Sequence, residues 1–505
     1  MDKRTVTRRD LLGYGAAGTA AFLTGLPSLA GAASHWGIGK KAKNIIFCVA
    51  DGMSVAVPTM LDQYLRLTTG KGSFWSSLMS QEYAVNGLQD TRSLTGPVTD
   101  SSAASSSWGS GVHIWNGAVN WLPDGSKGIE LRTLFDLMKN EGKIKTGLVS
   151  TATITHATPA GFAICHDNRD EEEVIASKYL ATKPDVLLGG GDTFFSAGRR
   201  KDKTDLYARI AASGYSIVKN SGELASVPTG KPLLGVFSDG HMPYTVDQIH
   251  DMKLGLQVPT LAKMAMTAIS MLDGSNGFFL QVEGARVDHG GHINDFAAQL
   301  FDQMAFDEAV AAIVNWALKD GETLVVITSD HGNGNPGLAG AGIEYADSGN
   351  GLLKAQNMTC SFGPLLAAIK SKPDVDNVIG QVKDKYAIEL RNDEAQFVVD
   401  GVEKSTFLSK VEVFGEDFSH LAIALSNHTH VNYMTHAHTS DHVLVTAVGP
   451  GCEQFFGLTQ NVSYFDAFLS HREIVWKNPT VSFEDAQKHY SKPKADLALT
   501  QPHWM

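Results

Sequence analysis

The chain has 505 residues, 43% hydrophobic and 19% charged, which excludes a disordered, collagenous or coiled-coil protein and allows one large core with insertions. Acidic residues outnumber basic ones 54 to 42, a formal charge of −12 that argues against a nucleic-acid binder. Four cysteines are too few for a disulfide scaffold, whereas 18 histidines, many in short clusters, point toward metal ligands.

Residues 1–32 read as an export signal. Lys3, Arg4, Arg8 and Arg9 make a basic start, an apolar stretch runs from Leu11 to Leu29, and Ala30-Gly31-Ala32 offers small residues to a signal peptidase. Arg8-Arg9 followed by Asp10-Leu11-Leu12 resembles a twin-arginine signal. Interrupting glycines and Pro27 make the stretch a poor membrane-spanning helix. Residues 1–33 are expected to stand outside the fold, and the mature protein to be soluble, periplasmic or secreted, and free of membrane.

The first predicted strand is Asn44-Ile45-Ile46-Phe47-Cys48-Val49-Ala50, followed by Asp51-Gly52-Met53-Ser54. Val98-Thr99-Asp100-Ser101-Ser102-Ala103-Ala104 reads as a helix start capped by Asp100 or a neighbouring serine. A serine there sits among backbone N–H groups that favour an anion. A helical pattern over 131–140 precedes strands over 146–150 and 185–189, and further helical patterns cover 205–213 and 258–272. The strand over 277–282 runs directly into Glu283-Gly284-Ala285-Arg286-Val287-Asp288-His289-Gly290-Gly291-His292. Within it Asp288 and His292 stand four residues apart, on one face of a turn or helix. A helix over 297–318 leads to strand Thr323–Thr328, which ends at Ser329-Asp330-His331-Gly332. The text of 335–435 then breaks the rhythm, with strand-like pieces such as Gln396-Phe397-Val398-Val399, and reads as an insertion forming a lid, crown or interface. Thr435-His436-Ala437-His438-Thr439 precede a last strand, Val443–Val448.

Continuous rather than alternating hydrophobicity marks strands covered on both faces, so the expected fold is α/β, a doubly wound, mostly parallel sheet with helices on both sides. In such folds ligands gather at the C-terminal ends of strands. Four separated segments bring carboxylates and imidazoles to those ends, which is how a multi-metal site is assembled. A serine hydroxyl beside bound zinc is an activated nucleophile.

These residues strongly resemble the alkaline phosphatase family. The match rests on Asp51-Gly52-Met53, Thr99-Asp100-Ser101, Thr155-His156-Ala157-Thr158-Pro159-Ala160, Gln281-Val282-Glu283-Gly284 through Asp288 and His292, Ser329-Asp330-His331-Gly332, and His438-Thr439 eleven residues before Gly449. The resemblance implies hydrolysis of a broad range of phosphate monoesters at two Zn²⁺ and one Mg²⁺, in a homodimer. It implies Asp288, His292 and His438 for the first zinc, and Asp51, Asp330 and His331 for the second, with Ser101 as nucleophile on its open side. Asp51 would bridge to Mg²⁺ with Thr158 and Glu283. Arg169, eleven residues after Thr158, would clamp phosphate. His156 and His289 would tune affinity for Mg²⁺ and phosphate from behind the ligands. The core would comprise 33–334 and 436–505, around the 335–435 insertion.

Ser102 adjoins Ser101, and His436 lies two residues before His438; motif matching favours Ser101 and His438. Pairing among Cys165, Cys360 and Cys452 stays open. The rival readings are a phosphodiesterase or sulfatase of the same superfamily, and a non-catalytic exported metal or phosphate binder. The stretch Ser101-Ser102-Ala103-Ala104-Ser105 lacks the arginine of a sulfatase motif, and a binder has no need of Ser101.

Overall fold

Strand β1 (Asn44–Ala50) shows how the layers form. Ile45, Phe47 and Val49 point into one apolar core while Ile46, Cys48 and Ala50 point into another. Every residue of the strand is buried, so the sheet is covered on both faces, as its unbroken hydrophobicity requires. The computed structural model describes residues 27–408 and 417–489.

Among the described residues the main sheet has ten strands. Besides β1 they are β2 (Ala84–Asp90), β3 (Lys145–Thr153), β4 (Val186–Gly190), β5 (Ser216–Val218), β6 (Leu233–Val236), β7 (Phe278–Gly284), β8 (Thr323–Thr328), β9 (Val443–Val448) and β10 (Gly457–Gln460). Their spatial order is β10-β2-β9-β8-β1-β7-β3-β4-β6-β5. Strand β9 alone runs against the rest, antiparallel to both β8 and β2. The expected doubly wound, mostly parallel sheet is therefore present. Strands β2, β5, β6 and β10 escaped the sequence reading because they are short or polar. Ala84-Val85-Asn86-Gly87-Leu88-Gln89-Asp90, for instance, carries only three apolar residues.

Two short helices pack face to face beneath the site. Ser101–Ser110 is capped by Asp100, whose side chain accepts the Ala103 N–H at 2.8 Å, and all ten of its residues are buried. Ala157–Ala163 follows β3. A Cβ on Gly109 would stand 1.9 Å from the Gly161 carbonyl oxygen, so only glycine permits this approach. Gly109→Ala should destabilise the protein by about 1–3 kcal/mol through overpacking, read as a lowered midpoint of denaturant unfolding.

The region 335–435 corrects one expectation. Gln396-Phe397-Val398-Val399 lies not in a strand but in helix Asn392–Val402. Glu394 accepts the Arg391 N–H at 2.9 Å to close the helix start, and Ala395, Val398 and Val399 are buried at helical spacing. Tertiary packing overrides the β preference of Phe and Val. Helices Phe362–Ser371, Val375–Tyr386 and Asp417–Thr429 join it in a third apolar cluster that takes in Met60, Tyr64, Phe296 and Phe301. Asp295 ties this cluster to the core. Its carboxylate caps the long helix Phe296–Asp320 through the Ala298 N–H and accepts the Phe362 N–H at 2.5 Å.

The N-terminal expectation also changes where the description begins. Residues 1–26, with the arginine pair, lie outside the described residues. Residues 27–33 do not stand apart from the fold: Pro27–Trp36 is a helix with Ala32 buried, and the Trp36 indole donates to the Tyr83 carbonyl. All four cysteines are unpaired. Among the described residues no helix is long and apolar enough to cross a membrane.

Candidate active site

The C-terminal ends of β1, β7 and β8 open on one edge of the sheet. Strand β9, running the other way, returns its preceding segment to the same edge. Asp51 leaves β1, Glu283 ends β7, Asp330 and His331 follow β8, and His438 pairs in a two-residue ribbon with Asn333. Asp288 and His292 share one face of helix Arg286–His292, as their spacing predicts. Gly52 permits the closest approach: its φ is +65°, and a Cβ there would lie 2.2 Å from Asp288 Oδ1.

Among the described residues three groups of potential ligands result, each with one ligand atom per residue and all within 4.8 Å: Asp288, His292 and His438; Asp51, Asp330 and His331; Asp51, His156 and Glu283. In the first, His292 Nε2 and His438 Nε2 face each other at 3.0 Å, and His292 Nε2 lies 3.2 Å from Asp288 Oδ2. The other ring nitrogens are spoken for. His292 Nδ1 donates to the His436 carbonyl at 2.7 Å and His438 Nδ1 to the Thr99 carbonyl at 2.8 Å. In the neutral rings both Nε2 atoms therefore carry lone pairs, aimed at a common point, the arrangement a shared cation stabilises. The His331 and His438 rings stack at 3.7 Å, joining the first group to the second.

In the second group His331 Nε2 lies 3.0 Å from Asp330 Oδ2 and 3.6 Å from Asp51 Oδ1. Asp330 Oδ1 accepts the backbone N–H of Gly52 and of His331, each at 3.0 Å, which orients the carboxylate. Asp51 Oδ1 and both Glu283 oxygens are buried without a hydrogen-bond partner. Such oxygens fit divalent cations and little else. Burial, reinforced by the charges of Asp330, Asp288 and Glu283, holds the Asp51 carboxyl well above the usual range. Burial likewise pushes Glu283 up to about 7. Asp288 goes the other way: burial would raise it, but His292 and His438 outweigh that and hold it well below the usual range.

Ser101 is 2% exposed, and its Oγ lies 3.3 Å from His331 Nε2. Ser102 Oγ is instead consumed by Asp100, to whose carboxylate it donates at 2.7 Å and 2.9 Å. The geometry separates the two adjacent serines. His436 contributes its carbonyl to His292, while the imidazole of His438 enters the group. Arg169 Nη1 is held by Asp100 Oδ2 at 3.1 Å, and its Nη2 donates to His156 Nε2 at 3.1 Å. The Asp100 carboxyl stays below its ordinary value because the Arg169 charge and the Ala103 N–H outweigh burial.

The third group contains two of the residues expected around Mg²⁺, Asp51 and Glu283. A ring nitrogen of His156 also lies within 4.8 Å of carboxylate oxygens of Asp51 and Glu283. Thr158 Oγ1 reaches Asp51 Oδ2 only at 3.5 Å. His289 lies beside this group, its ring 5.6 Å from that of His156. Two neighbours went unremarked in the sequence, His241 and Arg286. The His241 ring packs 4.4 Å from that of His289, and its Nδ1 accepts the Thr153 N–H at 3.2 Å. It follows β6 by way of Phe237-Ser238-Asp239-Gly240, the same strand-then-turn pattern that places Asp51, but the strand is only four residues long and gives a weak signal.

Known proteins resemble this chain in sequence and in fold. The alkaline phosphatase family model matches residues 42–471. Alkaline phosphatase 3 of Bacillus subtilis is 32% identical over 429 residues, covering 83% of this chain and 86% of its own. The crystal structure of Thermus thermophilus alkaline phosphatase is 33% identical, with a TM-score of 0.83 over 92% of this chain and 98% of that one. The cold-active enzyme of a psychrophilic Shewanella, 24% identical with a TM-score of 0.70, shares the fold. With most of both chains matched at such identity, this chain belongs to the alkaline phosphatase family and is a phosphoric monoester hydrolase.

Proposed function

We propose that this enzyme hydrolyses phosphate monoesters of broad leaving group through a phosphoserine at Ser101. The observation that carries the reading is the Ser101 hydroxyl at a helix N-terminus, 3.3 Å from His331 and beside two groups of carboxylate and imidazole ligands. Asp288, His292 and His438 would hold one Zn²⁺, Asp51, Asp330 and His331 a second, and Asp51, Thr158 and Glu283 would hold Mg²⁺, with His156 beside them. When bound, these ions supply the positive charge that a dianionic ester needs and stabilise charge on the attacking and leaving oxygens.

The chain's own groups do the rest. Asp100 caps the Ser101 helix and at the same time anchors Arg169. One carboxylate thus sets the distance between nucleophile and guanidinium. Arg169, whose side chain is 10% exposed, presents a planar donor pair to two phosphoryl oxygens. Ser101 Oγ forms a bond to phosphorus as the bond to the leaving alkoxide breaks. Water then cleaves the phosphoserine, restoring the hydroxyl and releasing inorganic phosphate. His156 and His289 shape the wall behind that phosphoryl group. Release of p-nitrophenol from p-nitrophenyl phosphate should far exceed release from the bis-ester at alkaline pH. A preference for the bis-ester would turn the reading to a phosphodiesterase, and stoichiometric binding without turnover would turn it to a binder.

The third group carries a pH dependence. In the metal-free fold Glu283 is raised from its ordinary 4.5 to about 7, so its carboxyl is protonated at pH 6 and must ionise to bind a cation. Adding Mg²⁺ to metal-free protein should release a proton at pH 6 and none from Glu283 at pH 9, as read by a pH-stat. The same shift contributes stability to the metal-free fold that is full below about 4.5 and lost as pH rises through about 7.

The arginine pair and apolar run of residues 1–32 support export by the twin-arginine route to the periplasm or beyond. The core of 33–334 with 436–505, the 335–435 insertion and a homodimer follow from the family resemblance. N-terminal sequencing of the exported enzyme and its sedimentation mass test these points.

A further inference from the structure

Arg286 occupies the first turn of helix Arg286–His292, three residues before His289 and on the same face. Its side chain is buried at 7% exposure, with the guanidinium carbon 3.7 Å from the centre of the Tyr244 ring. Its backbone N–H donates to Thr151 Oγ1 at 3.3 Å, which pins the start of the helix to β3. Arg286 Nη1 lies 2.5 Å from His289 Nδ1. A guanidinium has donors and no acceptor, so Nδ1 must carry the lone pair. A neutral imidazole in that contact keeps its proton on Nε2. The ring cannot turn over to offer Nδ1–H without setting two donors against each other. His241 packs against the ring at 4.4 Å and His156 approaches it edge-on at 5.6 Å, so its plane is held as well as its tautomer.

We propose that Arg286 is a positioning residue that fixes His289 as an Nε2–H donor toward the phosphoryl group, with Tyr244 holding the guanidinium in place. The proposal rests on the reading that His289 lines the phosphate site. Arginine acts here through the imidazole, whereas Arg169 would grip phosphate itself.

The test uses the zinc- and magnesium-loaded enzyme with ¹⁵N-labelled histidine. The His289 resonances, identified by their loss in His289→Gln, should show a protonated Nε2 and an unprotonated Nδ1. In Arg286→Met the two tautomers should mix. KM for p-nitrophenyl phosphate and Ki for inorganic phosphate should rise about tenfold, as for loss of one hydrogen bond to a charged group, with a smaller change in kcat. Arg286→Lys should recover part of the loss. The double variant Arg286→Met/His289→Gln should bind phosphate no worse than His289→Gln alone. A protonated Nδ1 in the wild type overturns the proposal even if the Arg286 variants fail to fold, and so do additive losses in the double variant. If His289→Gln leaves KM and Ki unchanged, the placement of His289 at phosphate falls, while the wild-type tautomer still judges the Arg286–His289 contact on its own.

Discussion

Ser101→Ala should lose about 10³–10⁵-fold in kcat toward p-nitrophenyl phosphate. Removing the hydroxyl abolishes the covalent route and leaves only direct attack by water on a still-bound ester. The helix cap and Arg169 are anchored by Asp100, not by Ser101, so substrate binding should survive and KM should change far less than kcat. Ser102→Ala is the control. Its hydroxyl belongs to the Asp100 network, and its loss should cost at most about tenfold, the worth of one hydrogen bond to a charged group. Acid quench with ³²P-labelled inorganic phosphate gives an independent check: wild type and Ser102→Ala should retain label on protein, and Ser101→Ala none. Label retained in Ser101→Ala would move the nucleophile elsewhere.

Chelation should abolish activity to a similar degree. The first group aims two imidazole lone pairs and a carboxylate at one point, and the second and third bring together three further buried carboxylates, Asp51, Asp330 and Glu283. Without cations these charges oppose one another at full burial. Zn²⁺ alone should restore part of the turnover, and Zn²⁺ with Mg²⁺ the whole. Stability should follow. A ligand held at about 1,000 times its Kd adds about 4 kcal/mol to the folded state per site, so the metal-stripped enzyme should melt well below the reloaded one in a calorimeter. Unchanged activity after exhaustive dialysis against a chelator, with metal content confirmed as nil, would remove the ligand assignments.

Much of this was readable in the sequence, for a local reason. Strands β1, β8 and β9 are continuous apolar runs buried on both sides, so their boundaries coincide with their hydrophobicity. Asp51, Glu283, Asp330 and His331 adjoin strand ends and could be located by that rule. What was missed depends on contacts distant in the chain. Strand β2 exists because β9 and β10 flank it, not because Ala84–Asp90 favours a strand. Helix Asn392–Val402 reads as β in isolation and becomes helical against Leu421 and its neighbours. The nearness of His156 to Asp51 and Glu283, and the grip of Arg286 on His289, are matters of ångströms that residue spacing does not encode.

The reversed strand β9 has a consequence for timing. As the chain emerges from the ribosome, Asp51, His156, Glu283, Asp330 and His331 are all present once residue 331 has been made, whereas the first group waits for His438. That histidine reaches its partners only when β9 docks between β8 and β2, and β2 has no other route into the sheet than β9. Completion of the Asp288, His292 and His438 group therefore reports that β9 and the segment before it are in place. A chain arrested before that step could gather the second and third groups and still lack the first, so a half-built molecule would be silent rather than aberrantly active.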